Sequence, residues 1–323
     1  MVDKQSRVFI AGHRGLVGSA IHRVMTARGF SQIITRTRDE LDLLDQSATA
    51  AFFLREKPEV VVLAAARVGG ILANATYPAE FIGENLLIQS NVIHSAWKSG
   101  VEQLLFLGSS CIYPKHAPQP VHETHLLTGM LESSNRPYAV AKIAGVEMCW
   151  AYNRQYGTRY LAVMPNNLYG PGDNYDLATS HVLPALIRKA HEAKCAGAAD
   201  LEVWGTGTPR REFLYSDDLA DACMFLLTRS PDVVADLFSE DHAPLINIGS
   251  GEEVSIRDLA DQVRGVVGCT GELVWDSSKP DGTPRKWVDM ERLRALGWSA
   301  TTPLAEGLIS AYQDFLERYY KSA

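Results

Sequence analysis

The sequence predicts an α/β protein: a doubly wound parallel sheet with a smaller α/β lobe beside it. Three observations carry this expectation. Short β-branched runs alternate with stretches of helical spacing through the first 165 residues. One of those runs, 59–65 (EVVVLAA), is apolar without alternation, as a strand buried on both faces must be. A glycine-rich turn, Gly12 to Gly18, joins the first run to the first helical stretch. The 323 residues suffice for one large domain or two intimate ones.

Residues 7–11 read as the first strand. Residues 16–28, with Val17, Ile21, Val24 and Met25 on one face, read as the helix that follows. Strands are then expected at 32–36, 59–65, 103–108 and 159–164, and helices at 79–98 and 137–156. Beyond residue 165 the regularity fades. Residues 166–176 (NNLYGPGDNYD) read as a loop, as do 206–211 and the basic stretch 279–286. Helices are expected at 180–193, 255–267 and 303–320, and a strand at 201–205. The division expected is 1–165 for the first lobe, with part of 212–248 a candidate to return to it, and 166–323 for the second. Asp217 and Asp218 read as a helix N-cap pair.

Composition excludes several classes. A net charge of −7 gives no footprint for nucleic acid or an acidic membrane surface. The longest apolar run, 60–66, is far short of the ~18 residues that span a bilayer. The first residues carry no signal-peptide apolar region, so a cytoplasmic protein is expected. The five cysteines (111, 149, 195, 223, 269) form no CxxC pair, which argues against a disulfide framework or Cys-rich zinc site and for a reducing compartment. His116, His122 and His125 share a loop but lack an acidic or thiol partner at ligand spacing, so no metal is expected.

Gly12-His13-Arg14-Gly15-Leu16-Val17-Gly18 has GxxGxxG spacing between a strand and a helix. Gly12 suits the tight turn, Gly15 a close approach of backbone to pyrophosphate, and Gly18 close helix–strand packing. The free N–H groups at the helix start suit phosphate. The plain alternative is a tight strand–helix turn. An NAD site places an acidic residue at the end of the second strand; here Arg36-Thr37-Arg38 stand there, and Asp39 follows. With Arg14, they favour the 2′-phosphate of NADP through charge-assisted bonds, unless they are ordinary solvated charges.

Ser109 follows the fourth expected strand, and Tyr138 and Lys142 lie at i and i+4 on the next helix. A phenol of ordinary pKa ≈10 trades protons poorly near pH 7, and a neighbouring ammonium is expected to lower it. A Ser hydroxyl at the strand end can hold a carbonyl oxygen. Together these groups suit hydride transfer to or from a ketone. A Tyr-x-x-x-Lys pair alone is more often a helix-surface pair.

With the segments AGHRGLVGSAI (11–21), RTRDELDLLD (36–45), AARVGGI (65–71), LGSSCIYP (107–114), PYAVAKIAG (137–145), NRQYG (153–157), MPNNLYGPGDN (164–174), WGTGTPRREFL (204–214) and KPDGTPRK (279–286), the chain resembles the extended short-chain dehydrogenase/reductase family across nearly its whole length. The resemblance implies a Rossmann lobe and a substrate lobe, with conversion of GDP-4-keto-6-deoxy-D-mannose to GDP-L-fucose by 3,5-epimerisation and NADPH-dependent reduction of the 4-ketone. It implies Cys111 as base and His181 as acid, although from sequence alone each is more often structural. For the cofactor it implies the glycine loop, Arg38, Asp39, Leu107, Gly108, Ser109, Ser110, Lys142, Pro165, Asn166, Asn167, Leu168 and His181. For a GDP-sugar it implies Lys189, Trp204, Arg211 and Asp281; Arg188, Arg210, Lys279 and Arg285 are further basic candidates. It also implies a homodimer through the 79–98 and 138–156 helices. Two other readings stay open: a redox-neutral sugar-nucleotide epimerase or dehydratase, and a non-catalytic dinucleotide sensor, which would be free to lose Ser109, Tyr138 or Lys142.

Overall fold

The computed structural model describes residues 2–279 and 281–320; Pro280, inside the turn-rich 279–286 stretch, lies outside them. The chain begins β1 (Val8–Ala11), α1 (Leu16–Ala27), β2 (Ile33–Thr35), α2 (Gln46–Glu56), β3 (Val60–Leu63), α3 (Ile71–Thr76), α4 (Pro78–Lys98), β4 (Gln103–Leu107), α5 (Arg136–Tyr156) and β5 (Arg159–Pro165). It continues β6 (Asn167–Tyr169), α6 (Val182–Ala196), β7 (Asp200–Trp204), β8 (Arg210–Tyr215), α7 (Ser216–Thr228), β9 (Leu245–Ile248), β10 (Glu253–Ser255), α8 (Ile256–Val267), β11 (Glu272–Asp276), β12 (Arg285–Lys286), α9 (Glu291–Ala295) and α10 (Leu304–Phe315).

Alternate residues of the central strands enter opposite cores, which explains their unbroken apolar character. Val8, Ile10, Val60, Val62, Leu105 and Val163 face one side, with Ile21 and Met25 of α1 and Leu219 and Met224 of α7. Phe9, Val61, Leu63, Leu104, Phe106 and Ala162 face the other, with Phe52 and Phe53 of α2, Val92 and Ile93 of α4 and Val146 of α5. Each large apolar side chain buried this way contributes about 1.5–3 kcal/mol. The sheet order is β2-β1-β3-β4-β5-β9, with every pairing parallel. The chain order reverses between β1 and β3, and the crevice at their carboxyl ends is where such sheets take ligands.

A third core holds Tyr169, Leu183, Ile187, Phe213, Leu259, Val263, Leu308 and Phe315. Beside it β10, β8 and β12 form a small sheet joined by β6, and β7 pairs with β11. Among the described residues, no helix is long and apolar enough to cross a membrane.

Several local expectations need correction. The stretch 166–176 is not all loop, because Asn167–Tyr169 pairs in parallel with Phe213–Tyr215. The stretches 206–211 and 279–286 end in strand, with Arg285 and Lys286 opposite Arg210 and Arg211. These pairings join residues distant in sequence, and turn-rich composition hides them. The 303–320 helix is regular only to Phe315, and Leu316–Tyr320 forms a wider turn. Asp217 and Asp218 are not the N-cap of α7, which is Tyr215. Asp218 instead accepts from the backbone N–H of Thr302 at 2.9 Å, and Asp217 pairs with Arg23. Helix α2 went unread; it is set by Asp45, whose side chain accepts from the Ala48 N–H at 2.9 Å.

Candidate active site

The cofactor crevice starts where β1 ends. Gly12 has φ +87, and a Cβ there would sit 2.7 Å from the Ala65 backbone at the end of β3. A Cβ on Gly18 would lie 2.1 Å from the Gly12 carbonyl oxygen. These two positions therefore admit only glycine, and the turn presses α1 against the sheet. Gly15 is the N-cap of α1, with no side-chain cap and no acidic residue in the first turn. The leading N–H groups of the helix remain directed at the crevice, an arrangement that suits a pyrophosphate. His13 places a buried Nδ1 here without a partner, and burial holds its pKa below the usual value. The residues present fit a dinucleotide.

The arginines divide. Arg36 is engaged, with its guanidinium 2.8 Å from Glu56 and stacked over Phe52. Arg14 and Arg38 are exposed. Arg38 makes a loose pair with Asp42 at 3.7 Å, and Asp39 is exposed beside it.

Next in the sheet, β4 delivers Leu107, Gly108 and Ser109 to the same edge. Gly108 donates its N–H to Val163 at 2.9 Å. Ser109 caps a short turn, Ser110–Ile112, by accepting from the Cys111 N–H. The buried Ser110 hydroxyl donates to Asn166 Oδ1 at 3.3 Å. Lys142 of α5 is 3% exposed and donates to the Leu107 carbonyl at 2.7 Å. Its ammonium lies 5.8 Å from the Tyr138 ring centroid. Burial lowers the Lys142 pKa to about 7. Burial pushes the Tyr138 phenol well up, the neighbouring Cys111 adds to this, and a hydrogen bond with Ser109 opposes it. This corrects the expected lowering of Tyr138. The Lys142 ammonium is turned to a backbone carbonyl, and desolvation of the phenol dominates.

Cys111 and His181 come to the same cleft from different elements. His181 is the N-cap of α6. Solvent reaches it, yet enough protein surrounds it that burial, then the charge of Lys286, depresses its pKa. Cys111 Sγ accepts from Asn135 Nδ2 and from the Lys286 ammonium, each at 3.3 Å. Neither Asn135 nor Lys286 was singled out from the sequence. Lys286 lies 175 positions from Cys111 and nothing in its own surroundings points there. Beneath, Asn166 donates to Glu212 Oε2 at 2.7 Å and to the Lys286 carbonyl at 3.2 Å, and Asn167 donates to the Glu212 carbonyl at 2.8 Å. Pro165 and Leu168 flank the pair on β5 and β6.

A second cluster lies farther out. The ammonium groups of Lys189 and Lys279 stand 4.8 and 5.3 Å from the Trp204 ring centroid. Asp281 accepts from the Thr206 N–H at 2.7 Å and its hydroxyl at 2.8 Å, clamping the turn after β7. Arg211 donates to the Arg210 carbonyl at 2.8 Å; burial lowers its pKa and the charge of Asp281 opposes the change. Arg188 is paired with Glu192, and Arg210 and Arg285 with Glu253.

A glycine-cradled helix start beside a Ser–Tyr–Lys set places this molecule among the dinucleotide-dependent enzymes of α/β fold. Residues 8–238 match the NAD dependent epimerase/dehydratase family, and the chain belongs to it. It is 56% identical to GDP-L-fucose synthase 1 of Arabidopsis thaliana, over 98% of this chain and 95% of that one. It is 54% identical to GDP-L-fucose synthase of Escherichia coli strain K12, over 97% of each. Among solved structures it superposes on MlghC, a GDP-mannoheptose C4 reductase from Campylobacter jejuni with NADP bound, with TM-score 0.88 and 39% identity over 98% of this chain and 99% of that one. The cofactor class is thus a nicotinamide dinucleotide.

Proposed function

We propose that this protein converts GDP-4-keto-6-deoxy-D-mannose to GDP-L-fucose, inverting C3 and C5 and reducing the 4-ketone with NADPH. The observation that carries this reading is the convergence of two proton-transfer sets, Ser109–Tyr138–Lys142 and Cys111–His181, on one cleft beside the glycine loop. The high identity to GDP-L-fucose synthases supports the substrate. The glycine loop, with Arg14 and Arg38 at the 2′-phosphate, would hold NADPH, which would supply the hydride for C4. Ser109 holds the carbonyl oxygen. Tyr138 keeps its proton at neutral pH, because burial raises its pKa, and so is ready to donate it to that oxygen as reduction proceeds. Cys111 removes the proton beside the ketone on one face and His181 returns one on the other. Lys189, Trp204, Arg211 and Asp281 form the GDP-sugar side of the cleft.

On this reading residues 1–165, with part of 212–248, carry the cofactor and 166–323 the sugar nucleotide. The protein works in the cytoplasm as a homodimer through α4 and α5, whose Leu87 and Val140 are exposed apolar residues. Incubation with GDP-4-keto-6-deoxy-D-mannose and NADPH should yield GDP-L-fucose. A product still in the D-manno configuration would remove the epimerase half, and no NADPH oxidation the reductase half. Sedimentation analysis tests the dimer.

A further inference from the structure

We propose that Lys286 is the counter-charge of Cys111, an ammonium that holds the sulfur as thiolate and so completes the proton-abstracting group. This rests on the reading of Cys111 as that group. Lys286 Nζ lies 3.3 Å from Sγ, and Asn135 aims an amide N–H at the same atom from the same distance. Two donors converging on one sulfur suit an acceptor, and an ammonium beside a sulfur favours thiolate over thiol. Among the described residues, no carboxylate lies within ion-pair distance of Lys286.

The backbone around Lys286 is held from several directions, which fixes where its short strand presents the side chain. Lys286 pairs in register with Arg211, and its carbonyl accepts from Asn166 at 3.2 Å. The Trp287 N–H donates to Gln119 at 2.9 Å, the Val288 N–H to Glu212 at 3.2 Å, and Arg285 grips Glu253. Cys111 is carried on the turn after β4 of the large sheet, whereas Lys286 belongs to the small sheet. The base is therefore assembled only where the two regions meet.

The step balances without a further reagent. The thiolate takes the proton from the carbon beside the ketone, the C–H electron pair becomes an enolate on the carbonyl oxygen, and sulfur becomes S–H. Lys286 stays protonated, and its charge, no longer matched by sulfur, then offsets the enolate. His181 delivers a proton to the opposite face, and both groups reset through solvent. Lys286 also contributes to the depressed pKa of His181, which eases release of that proton.

The test compares Lys286→Met, which removes the charge, with Lys286→Arg, which keeps it, in NADPH-loaded protein. Alkylation of Cys111 by iodoacetamide, followed by peptide mass spectrometry without substrate, should slow about tenfold or more in Lys286→Met and recover in Lys286→Arg. Solvent deuterium entry at C3 and C5 should fall in parallel. Cys111 alkylation at the wild-type rate in Lys286→Met overturns the proposal. Slowed alkylation with undiminished exchange upholds the ion pair and removes Cys111 from proton abstraction. Should Lys286→Met not fold, Lys286→Gln is read the same way.

Discussion

Lys142 donates its ammonium N–H to the Leu107 carbonyl oxygen across 2.7 Å, tying a buried charge to the end of β4 rather than to the Tyr138 hydroxyl. Burial lowers its pKa from 10.5 to about 7. Between those values the native state binds fewer protons than the unfolded chain, so this group makes stability rise with pH over that window. Lys142→Met removes the effect. Urea unfolding should show wild type gaining about 2 kcal/mol relative to Lys142→Met between pH 7 and pH 9. Parallel stability profiles for the two proteins would place a fully charged Lys142 in the native state.

Tyr138 and Cys111 are neighbours, but the proposed chemistry assigns them separate proton transfers. Tyr138→Phe removes the donor to the ketone oxygen and leaves the ring. NADPH oxidation should fall by about 10²–10⁴-fold, the range of a general acid, while solvent deuterium still enters at C3 and C5. NADPH oxidation close to the wild-type rate would exclude Tyr138 as the donor.

On the proposed reading, Arg14 and Arg38 select the cofactor, because Arg36 is paired with Glu56. Arg38→Ala should weaken NADPH binding by roughly 10–150-fold, as loss of one charge-assisted contact does, with little change for NADH. Fluorescence titration with both cofactors measures this. An equal loss for both would mean that Arg38 does not meet the 2′-phosphate.

The large sheet was legible because strands buried on both faces leave runs such as 59–65, and because Gly12 and Gly18 have no substitute at their positions. Helix α2 was not, because its buried side comes down to Thr49, Phe52 and Phe53 in an otherwise polar and small-residue stretch. The small sheet was hidden inside turn-rich segments, where pairing partners lie far apart in sequence. That Ser109, Tyr138 and Lys142 come together could be expected from their order, but the direction of the Tyr138 pKa could not. That direction depends on how much protein covers the phenol and where the Lys142 ammonium points. Lys286, Asn135 and Glu212 gain their meaning only from residues that folding brings beside them.

Glu212 shows the same dependence and supports the last prediction. From sequence it is one acidic residue after two arginines, yet it is 0% exposed. Its carboxylate accepts from Asn166 Nδ2 at 2.7 Å, the Gly251 N–H at 2.6 Å and the Val288 N–H at 3.2 Å. Burial raises its pKa against the pull of those donors, so the site binds a proton more readily than the unfolded chain does. The sign follows: as pH rises through the ordinary carboxylate range toward the raised value, stability contributed by this group declines. The network nevertheless needs an acceptor. Glu212→Ala leaves three buried donors unmatched, at about 1–3 kcal/mol each before relaxation, so a net loss of about 3–5 kcal/mol is expected. Glu212→Gln keeps one oxygen and turns an NH₂ group toward donors, so its loss should be smaller, about 1–3 kcal/mol. Because Asn166 also holds the Lys286 carbonyl, Glu212→Gln should further slow deuterium exchange at C3 and C5. Urea midpoints and exchange rates on the two variants check each part. Equal stability of Glu212→Ala and wild type would show that the three donors find other partners.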